Sequence, residues 1–295
     1  MKVESECLPC LLERAYREVC YLTSDEKLRI EALKAVLETL TPNYGPEAYP
    51  ALLGTLRDRV IRKFFGGRDP YAKAKMEANR LALKLLPKTE EYVSSAQNSY
   101  ERFRRACLLA AAANALEFDV KGYSLDLDKF GESLSNIAFV IDHTSDAFRL
   151  VRDGGGEILY LADNAGEIVF DILLVRLLRE LGNRVTLAVK SIPVVNDATL
   201  EDVDASGIGK YVDRVETVGD TVGFIWSEAP PHLRELFKDA SLVVAKGMGN
   251  YEALTELKGR NLNRKILFLL KAKCNPVARS IGVKRGNLVA LLETI

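Results

Sequence analysis

Four short polar clusters in the second half of the chain carry side chains suited to metal and phosphate chemistry. Asp163, Asn164 and Glu167 lie within about one helical turn of one another. Lys190 and Ser191 are followed closely by Asn196 and Asp197. Lys246-Gly247-Met248-Gly249-Asn250-Tyr251-Glu252 and Lys271-Ala272-Lys273-Cys274-Asn275 complete the set. Carboxylate and amide oxygens are hard donors of the kind that Mg²⁺ or Mn²⁺ prefers. Lysines and exposed backbone N–H groups suit phosphate. A divalent ion held by two carboxylates and one amide keeps positions open for water and a phosphoryl oxygen, polarises the phosphorus and acidifies the water. Lys190 and Lys271 are the candidates to neutralise charge moving onto the leaving group. Gly247 and Gly249, followed by Asn250, lack the Cβ that would hold the backbone away from a phosphate.

Each cluster taken singly also has a structural reading. Asp163-Asn164 fits a turn and helix cap, and Asn196-Asp197 fits an ordinary helix start. Gly247-x-Gly249 fits a tight turn and lacks the third glycine of a dinucleotide fingerprint. What favours a site is their common placement behind apolar runs of strand length. Those runs are Ile158 to Ala162, Val185 to Val189, Val212 to Val218, Leu242 to Ala245, Ile266 to Leu270 and Leu288 to Leu291. Helical stretches alternate with them, beginning with Ile168 to Leu181, which is the pattern of an α/β fold with a mostly parallel sheet. Parallel strands would put all four clusters on the carboxyl rim, where such sheets bind ligands.

Residues 1–152 read instead as an all-helical domain, with the boundary at Asp153 to Gly156 and an α/β domain over 153–295. Helical spacing recurs through Leu11, Leu12, Ala15 and Val19, and again from Leu28 to Leu40 behind a Ser24 cap. Pro70 opens a helix that Pro87 is expected to end. Tyr100 to Leu116 reads as a helix buried on several sides. No strand is expected before about residue 150.

Asp163-Asn164-Ala165-Gly166-Glu167, Gly247-Met248-Gly249-Asn250-Tyr251-Glu252 and Lys271-Ala272-Lys273-Cys274 resemble the damage-control phosphatase family. With the early Cys7-Leu8-Pro9-Cys10, the chain looks like that family's prokaryotic branch, over essentially its whole length. The resemblance implies a metal-dependent phosphatase with a helical N-terminal domain and a Rossmann-like C-terminal one. It also implies Asp163, Asn164 and Asp197 as metal ligands, and Asn114 as an amide against the substrate. Mn²⁺ is the leading expectation, with Ni²⁺, Co²⁺ or Mg²⁺ as alternatives. The expected substrate is a small phosphorylated metabolite, a damaged or unwanted sugar phosphate or nucleotide. The alternative is a regulator that binds a nucleotide or phosphometabolite without turnover; a dinucleotide-dependent oxidoreductase is the weakest reading.

Composition narrows the classes further. Lysine plus arginine balance aspartate plus glutamate at 41 each, so no whole-chain field draws in nucleic acid or an anionic membrane. No apolar run approaches the ~20 residues of a membrane span, and no signal-peptide core precedes Cys10. Together these lead to the expectation of a cytoplasmic protein. Five cysteines do not make a disulfide framework in a chain of 295 residues, and two histidines leave little for a multi-histidine zinc site. Cys7 and Cys10 have no second Cys-x-x-Cys to complete a zinc site; Cys20 and Cys274 are the thiols that folding might add. Asp126-Leu127-Asp128 and Asp202-Val203-Asp204 follow poor strands, so both pairs read as surface or capping residues. Arg57, Arg59, Arg62, Lys63, Arg68, Arg102, Arg104 and Arg105 read as solvated helix faces.

Overall fold

The computed structural model describes residues 1–113 and 137–295. Helices α1 (Cys7–Leu22), α2 (Glu26–Asn43) and α3 (Pro50–Phe64) come first. Leu11, Ala15, Val19 and Leu22 of α1 recur every three to four residues and meet Ala32, Val36 and Leu40 of α2 and Leu53 and Ile61 of α3 in a small core of their own. Asp25, not Ser24, caps α2, its carboxylate accepting from the amides of Lys27 and Leu28. Helix α4 (Ala72–Ser94) runs through Pro87, where a stop was expected. Proline deletes only its own N–H; buried Leu85, Thr89 and Val93 keep this helix packed on both sides of the break. Helix α5 (Ser99–Ala112) is capped by Asn98 and is buried from Ala106 to its end.

The expectation of no strand before 150 is corrected by β1 (Phe139–Asp142), which is followed by α6 (Thr144–Val151). Four residues at a sheet edge are too few for a period of two to register. The chain continues through β2 (Glu157–Leu161), α7 (Glu167–Glu180), β3 (Arg184–Val189), α8 (Leu200–Ser206), β4 (Arg214–Thr217), α9 (Pro231–Asp239), β5 (Leu242–Lys246), α10 (Gly247–Leu254), β6 (Lys265–Lys271), α11 (Asn275–Ile281) and β7 (Leu288–Thr294).

The sheet order is β1-β7-β6-β5-β2-β3-β4. Strands β2 to β6 are parallel to their neighbours, whereas β7 runs antiparallel to β6 and carries β1 alongside it. The chain winds outward from β2 through β3 to β4, then returns to lay β5 on the other side of β2. This is the order of a doubly wound, Rossmann-like sheet, and its switch point lies between β2 and β5. Alternate residues of each central strand enter opposite cores. Ile158, Tyr160, Val185, Leu187, Val244 and Leu267 meet α4, α5 and α7. Leu159, Leu161, Val243, Ala245 and Phe268 meet α9, α10 and α11. Burying such a side chain contributes about 1.5–3 kcal/mol. Strands buried on both faces explain the unbroken apolar runs in the sequence. Helices α4 and α5 thus belong to the sheet's own layer, and α1 to α3 form a separate cap. Among the described residues, no helix is long and apolar enough to cross a membrane.

Candidate functional site

The switch point brings Asp163, two residues past β2, against Gly247, the residue after β5. Gly247 has φ +75°, and a Cβ there would lie 1.9 Å from Asp163 Oδ2. A positive φ and this close approach both demand glycine. The loop after β3 then folds back to deliver Asp197. Asn164 and Asp197 form an isolated antiparallel bridge. It is secured by the Ala198 amide donating to Asp163 O at 2.7 Å and the Ala165 amide donating to Asn196 O at 3.0 Å. Asp163, Asn164 and Asp197 are therefore neighbours through backbone bonds alone. Val195, just before Asp197, has φ +50°, a left-handed conformation that costs a β-branched residue roughly 1–3 kcal/mol. Its amide donates to Asp58 Oδ1 of α3 at 3.3 Å, so the cap holds the loop in shape.

The carboxylates are arranged around this core. Asn164 Nδ2 donates to Asp163 Oδ2 at 3.0 Å and to Glu167 Oε1 at 2.6 Å. With its amide nitrogen committed twice, Asn164 keeps Oδ1 for a cation. Glu167 Oε2 is buried without a hydrogen bond; the Lys246 ammonium lies 3.7 Å away. Lys246 itself, fully buried, pairs with Asp171 Oδ1 at 2.7 Å, which also accepts the Tyr160 hydroxyl at 2.7 Å. Burial pushes the Asp163 carboxyl well above its ordinary range; Glu167 and Asp197 add to this, and Lys273 and Lys246 oppose it. Asp197 is also raised by burial, with Lys190 opposing. Burial alone would depress Lys246, but Asp171 and Glu167 outweigh it and hold the amine above its ordinary value. The carboxylates thus crowd one another, a situation that a divalent cation relieves.

The remaining candidates take distinct roles. Lys190 is buried, 3.5 Å from Asp197 Oδ2, and donates to Gly223 O at 3.2 Å. Asn250 Nδ2 donates to Ala162 O and Lys246 O, tying the ends of β2 and β5 together. A Cβ on Gly249 would meet Val222 at 3.2 Å, so this glycine serves the packing of α10 against the 219–226 loop. The Lys271 side chain makes no hydrogen bond or ion pair among the described residues, and of the lysines it is Lys273 whose charge bears most strongly on Asp163. The Lys273 amide donates to Met248 Sδ at 3.3 Å, joining the turns after β5 and β6. Asn114 lies outside the described residues, as do Asp126 and Asp128.

Asp202 is not a surface residue. It is 4% exposed, closes a capping box with Thr199, pairs with Lys75 at 3.1 Å and accepts from Asn79 at 2.8 Å. Asn79 Oδ1 in turn accepts the Gly166 amide at 2.6 Å, which fixes the turn that carries Asp163. The expected solvated arginines are likewise engaged. Arg57 is buried against Glu18, and Arg59 and Arg62 both grip Asp220. Cys274 does join Cys7 and Cys10, each thiol acting electrostatically on it, whereas Cys20 is bonded by Tyr16. Burial pushes Cys274 up to about 11 and raises Cys7, so both remain thiols at neutral pH. Among the described residues, no three His, Cys, Asp or Glu side chains make a metal-holding group by themselves; the set assembled here is two carboxylates and an amide.

Sequence reasoning placed Lys246 and Glu252 in a rim cluster without giving either a role, and it missed Asp171, Asp58 and Arg14. Asp171 carried a signal, an acid inside the apolar run Ile168 to Val175, which must find a buried partner. Glu252, pushed up to about 7 by burial, lies near the N-terminus and Arg14, which pull it down. Nothing in the sequence marks Arg14.

Similarity to known proteins follows the same outline. A model of the damage-control phosphatase ARMT1-like domain matches residues 3–289. A damage-control phosphatase of Archaeoglobus fulgidus is 35% identical over 98% of this chain and 99% of its own. A second, from Pyrococcus horikoshii, is 33% identical over 99% and 98%. A crystal structure of a DUF89 family protein from Pyrococcus horikoshii superposes with a TM-score of 0.87 at 33% identity, covering 99% of both chains.

Proposed function

Since the chain belongs to the damage-control phosphatase family, we propose that it is a metal-dependent phosphatase that hydrolyses small phosphate monoesters, damaged or unwanted sugar phosphates or nucleotides. The observation that carries this reading is the Asn164–Asp197 bridge beside Asp163, which unites two carboxylates and an amide at the β2/β5 switch point. The hard-oxygen donor set, and Glu167 Oε2 left without a hydrogen bond beside it, fit a divalent ion such as Mn²⁺ or Mg²⁺. Asp163, Asn164 and Asp197 would hold it. When bound, such an ion supplies Lewis-acid polarisation of a phosphoryl oxygen and lowers the pKa of an attached water.

The chain's own groups account for the rest. Glu167 orients Asn164 through the 2.6 Å hydrogen bond. Lys190 sits beside Asp197 and balances its charge. Lys273 has no ion pair among the described residues, and its charge favours the ionised form of Asp163, so it is the lysine proposed to neutralise a phosphoryl group there. The first turn of α10 offers N–H groups that have no partner within the helix. Buried Lys246, locked by Asp171 and Glu167, keeps the floor of the site rigid.

The test is phosphate release from an aryl phosphate and from a panel of sugar phosphates and nucleotides. Each is assayed with chelated protein and after adding Mn²⁺, Mg²⁺, Co²⁺ or Ni²⁺. Turnover that vanishes on chelation and returns with one of these ions supports the reading. Full activity of demonstrably metal-free protein overturns the metal requirement, and binding without turnover of any ester favours a regulator.

A further inference from the structure

Helix α1 crosses the site-bearing rim of the sheet. Its start is pinned beyond the end of β6: Asn275 Nδ2 donates to Glu6 Oε2 at 2.8 Å, and Arg279 donates to Glu6 Oε1 at 2.6 Å. The N-terminal amine ahead of it donates to Glu252 O at 3.2 Å. Further along, Glu18 accepts from Arg57 at 3.4 Å and Tyr71 at 3.3 Å, next to the Asp58 that holds Val195 beyond β3. The dimensions agree. Eight helical residues from Glu6 to Arg14 rise ~12 Å, and the three strand spacings from β6 to β3 span ~14 Å.

The face of α1 turned toward the rim has a gap in it. Cys7 and Glu18 are buried, at 8% and 1% exposed. Cys10 and Arg14, which lie between them on the same stripe, are exposed. A helix face buried at both ends and open in the middle leaves a solvent-facing gap there. On its Cys10 side the gap lies within electrostatic reach of Cys274, and on its Arg14 side within reach of Asp197 and Glu252, whose carboxyls feel the guanidinium. Arg14 makes no hydrogen bond or ion pair among the described residues. Its neighbour Glu18, four residues on, is already taken by Arg57 and Tyr71.

We propose that Arg14 is a substrate-binding residue whose guanidinium grips the phosphoryl group from the helical side of the gap, opposite Asp163, Asn164 and Asp197. The proposal rests on the phosphatase reading. A planar guanidinium free to make paired hydrogen bonds suits phosphate oxygens better than an ammonium does. It also answers a problem of charge. A dianionic ester approaching Asp163, Asp197 and Glu252 is repelled, and a cation at the entrance offsets that repulsion.

The experiment compares the parent with Arg14→Ala, Arg14→Lys and the control Arg17→Ala, whose side chain pairs with Glu13 on the outer face of α1. Inorganic phosphate binding is measured by calorimetry on metal-loaded protein, and KM and kcat on an aryl phosphate. Arg14→Ala should weaken phosphate binding and raise KM ~10- to 10²-fold, with kcat changed less. Arg14→Lys should recover part of the loss, and Arg17→Ala should match the parent. Unchanged phosphate binding by folded Arg14→Ala overturns the proposal, even where chelation still abolishes turnover. Lost binding in a protein whose parent hydrolyses no ester sustains Arg14 and removes the phosphatase reading instead.

Discussion

Gly247 and Asp163 share a space too small for a methyl group. A Cβ on Gly247 would lie 1.9 Å from Oδ2 and 2.2 Å from the carboxyl carbon of Asp163. The backbone of one strand end thus fixes the carboxylate of its neighbour. Gly247→Ala is predicted to lower phosphate release at least ~10²-fold, since Asp163 must move and a shift of ~1 Å can cost that much. The φ of +75° adds strain that should lower the Tm. Near-parental activity would show that Asp163 tolerates displacement and does not set the geometry.

Asp163→Asn, Asn164→Ala and Asp197→Asn are each predicted to reduce turnover at least ~10²-fold with folding retained. Any two together should do little more than one, because a lost ion disables all its roles at once. Rates at saturating metal, with circular dichroism as the folding control, decide this. Strictly multiplicative losses would mean that the three residues act separately.

Asp58 gives a pH signature. Burial pushes its carboxyl from 3.8 up to about 6, with Glu18 adding to the effect. A carboxyl raised on folding contributes stability that is complete below the unfolded pKa and is lost as pH rises through the folded one. Between about pH 4 and 7 the parent should therefore lose Tm relative to Asp58→Asn, with the difference bending near pH 6. Asparagine Oδ1 can still accept the Val195 amide, so the loop is kept. A difference in Tm that does not vary with pH would show that Asp58 titrates normally.

Asp202→Asn should destabilise the fold. The substitution removes the charge nearest buried Lys75, leaving Asp69 at 3.6 Å, and disturbs the Thr199 capping box. A loss of about 1–3 kcal/mol in urea unfolding is expected. Activity should fall as well, through Asn79 and the Gly166 turn. Parental stability would leave Asp202 with the surface half of its surface-or-capping reading.

Cys7→Ser with Cys10→Ser should leave phosphate release within a few-fold of the parent. The thiols act electrostatically on Cys274, and a hard-oxygen metal set has no need of thiolates. Steady-state rates under reducing conditions test this. Abolished turnover in a folded double variant would place a thiol in the chemistry.

The sequence by itself determined a mostly parallel sheet with helices on its faces and the gathering of polar residues along one rim. Strands buried on both faces must be apolar throughout, so β2, β3, β5 and β6 stood out from the amphipathic helices between them. The clusters that hold Asp163, Asn164 and Asp197 were legible because polar residues at the ends of such strands share one rim, and the family resemblance singled out those three. Tertiary structure alone decided how that rim is closed. Edge strand β1 was too short to carry a period, and Pro87 looked like a stop because its lost bond shows in sequence while the packing around it does not. Whether an arginine is solvated or paired depends on partners 39 to 161 residues away, as for Arg57 with Glu18 and Arg59 with Asp220. The crossing of α1 over the strand ends is a contact between the first turns of the chain and its last helices. No local pattern encodes such a contact, and that is why nothing in the sequence marked Arg14.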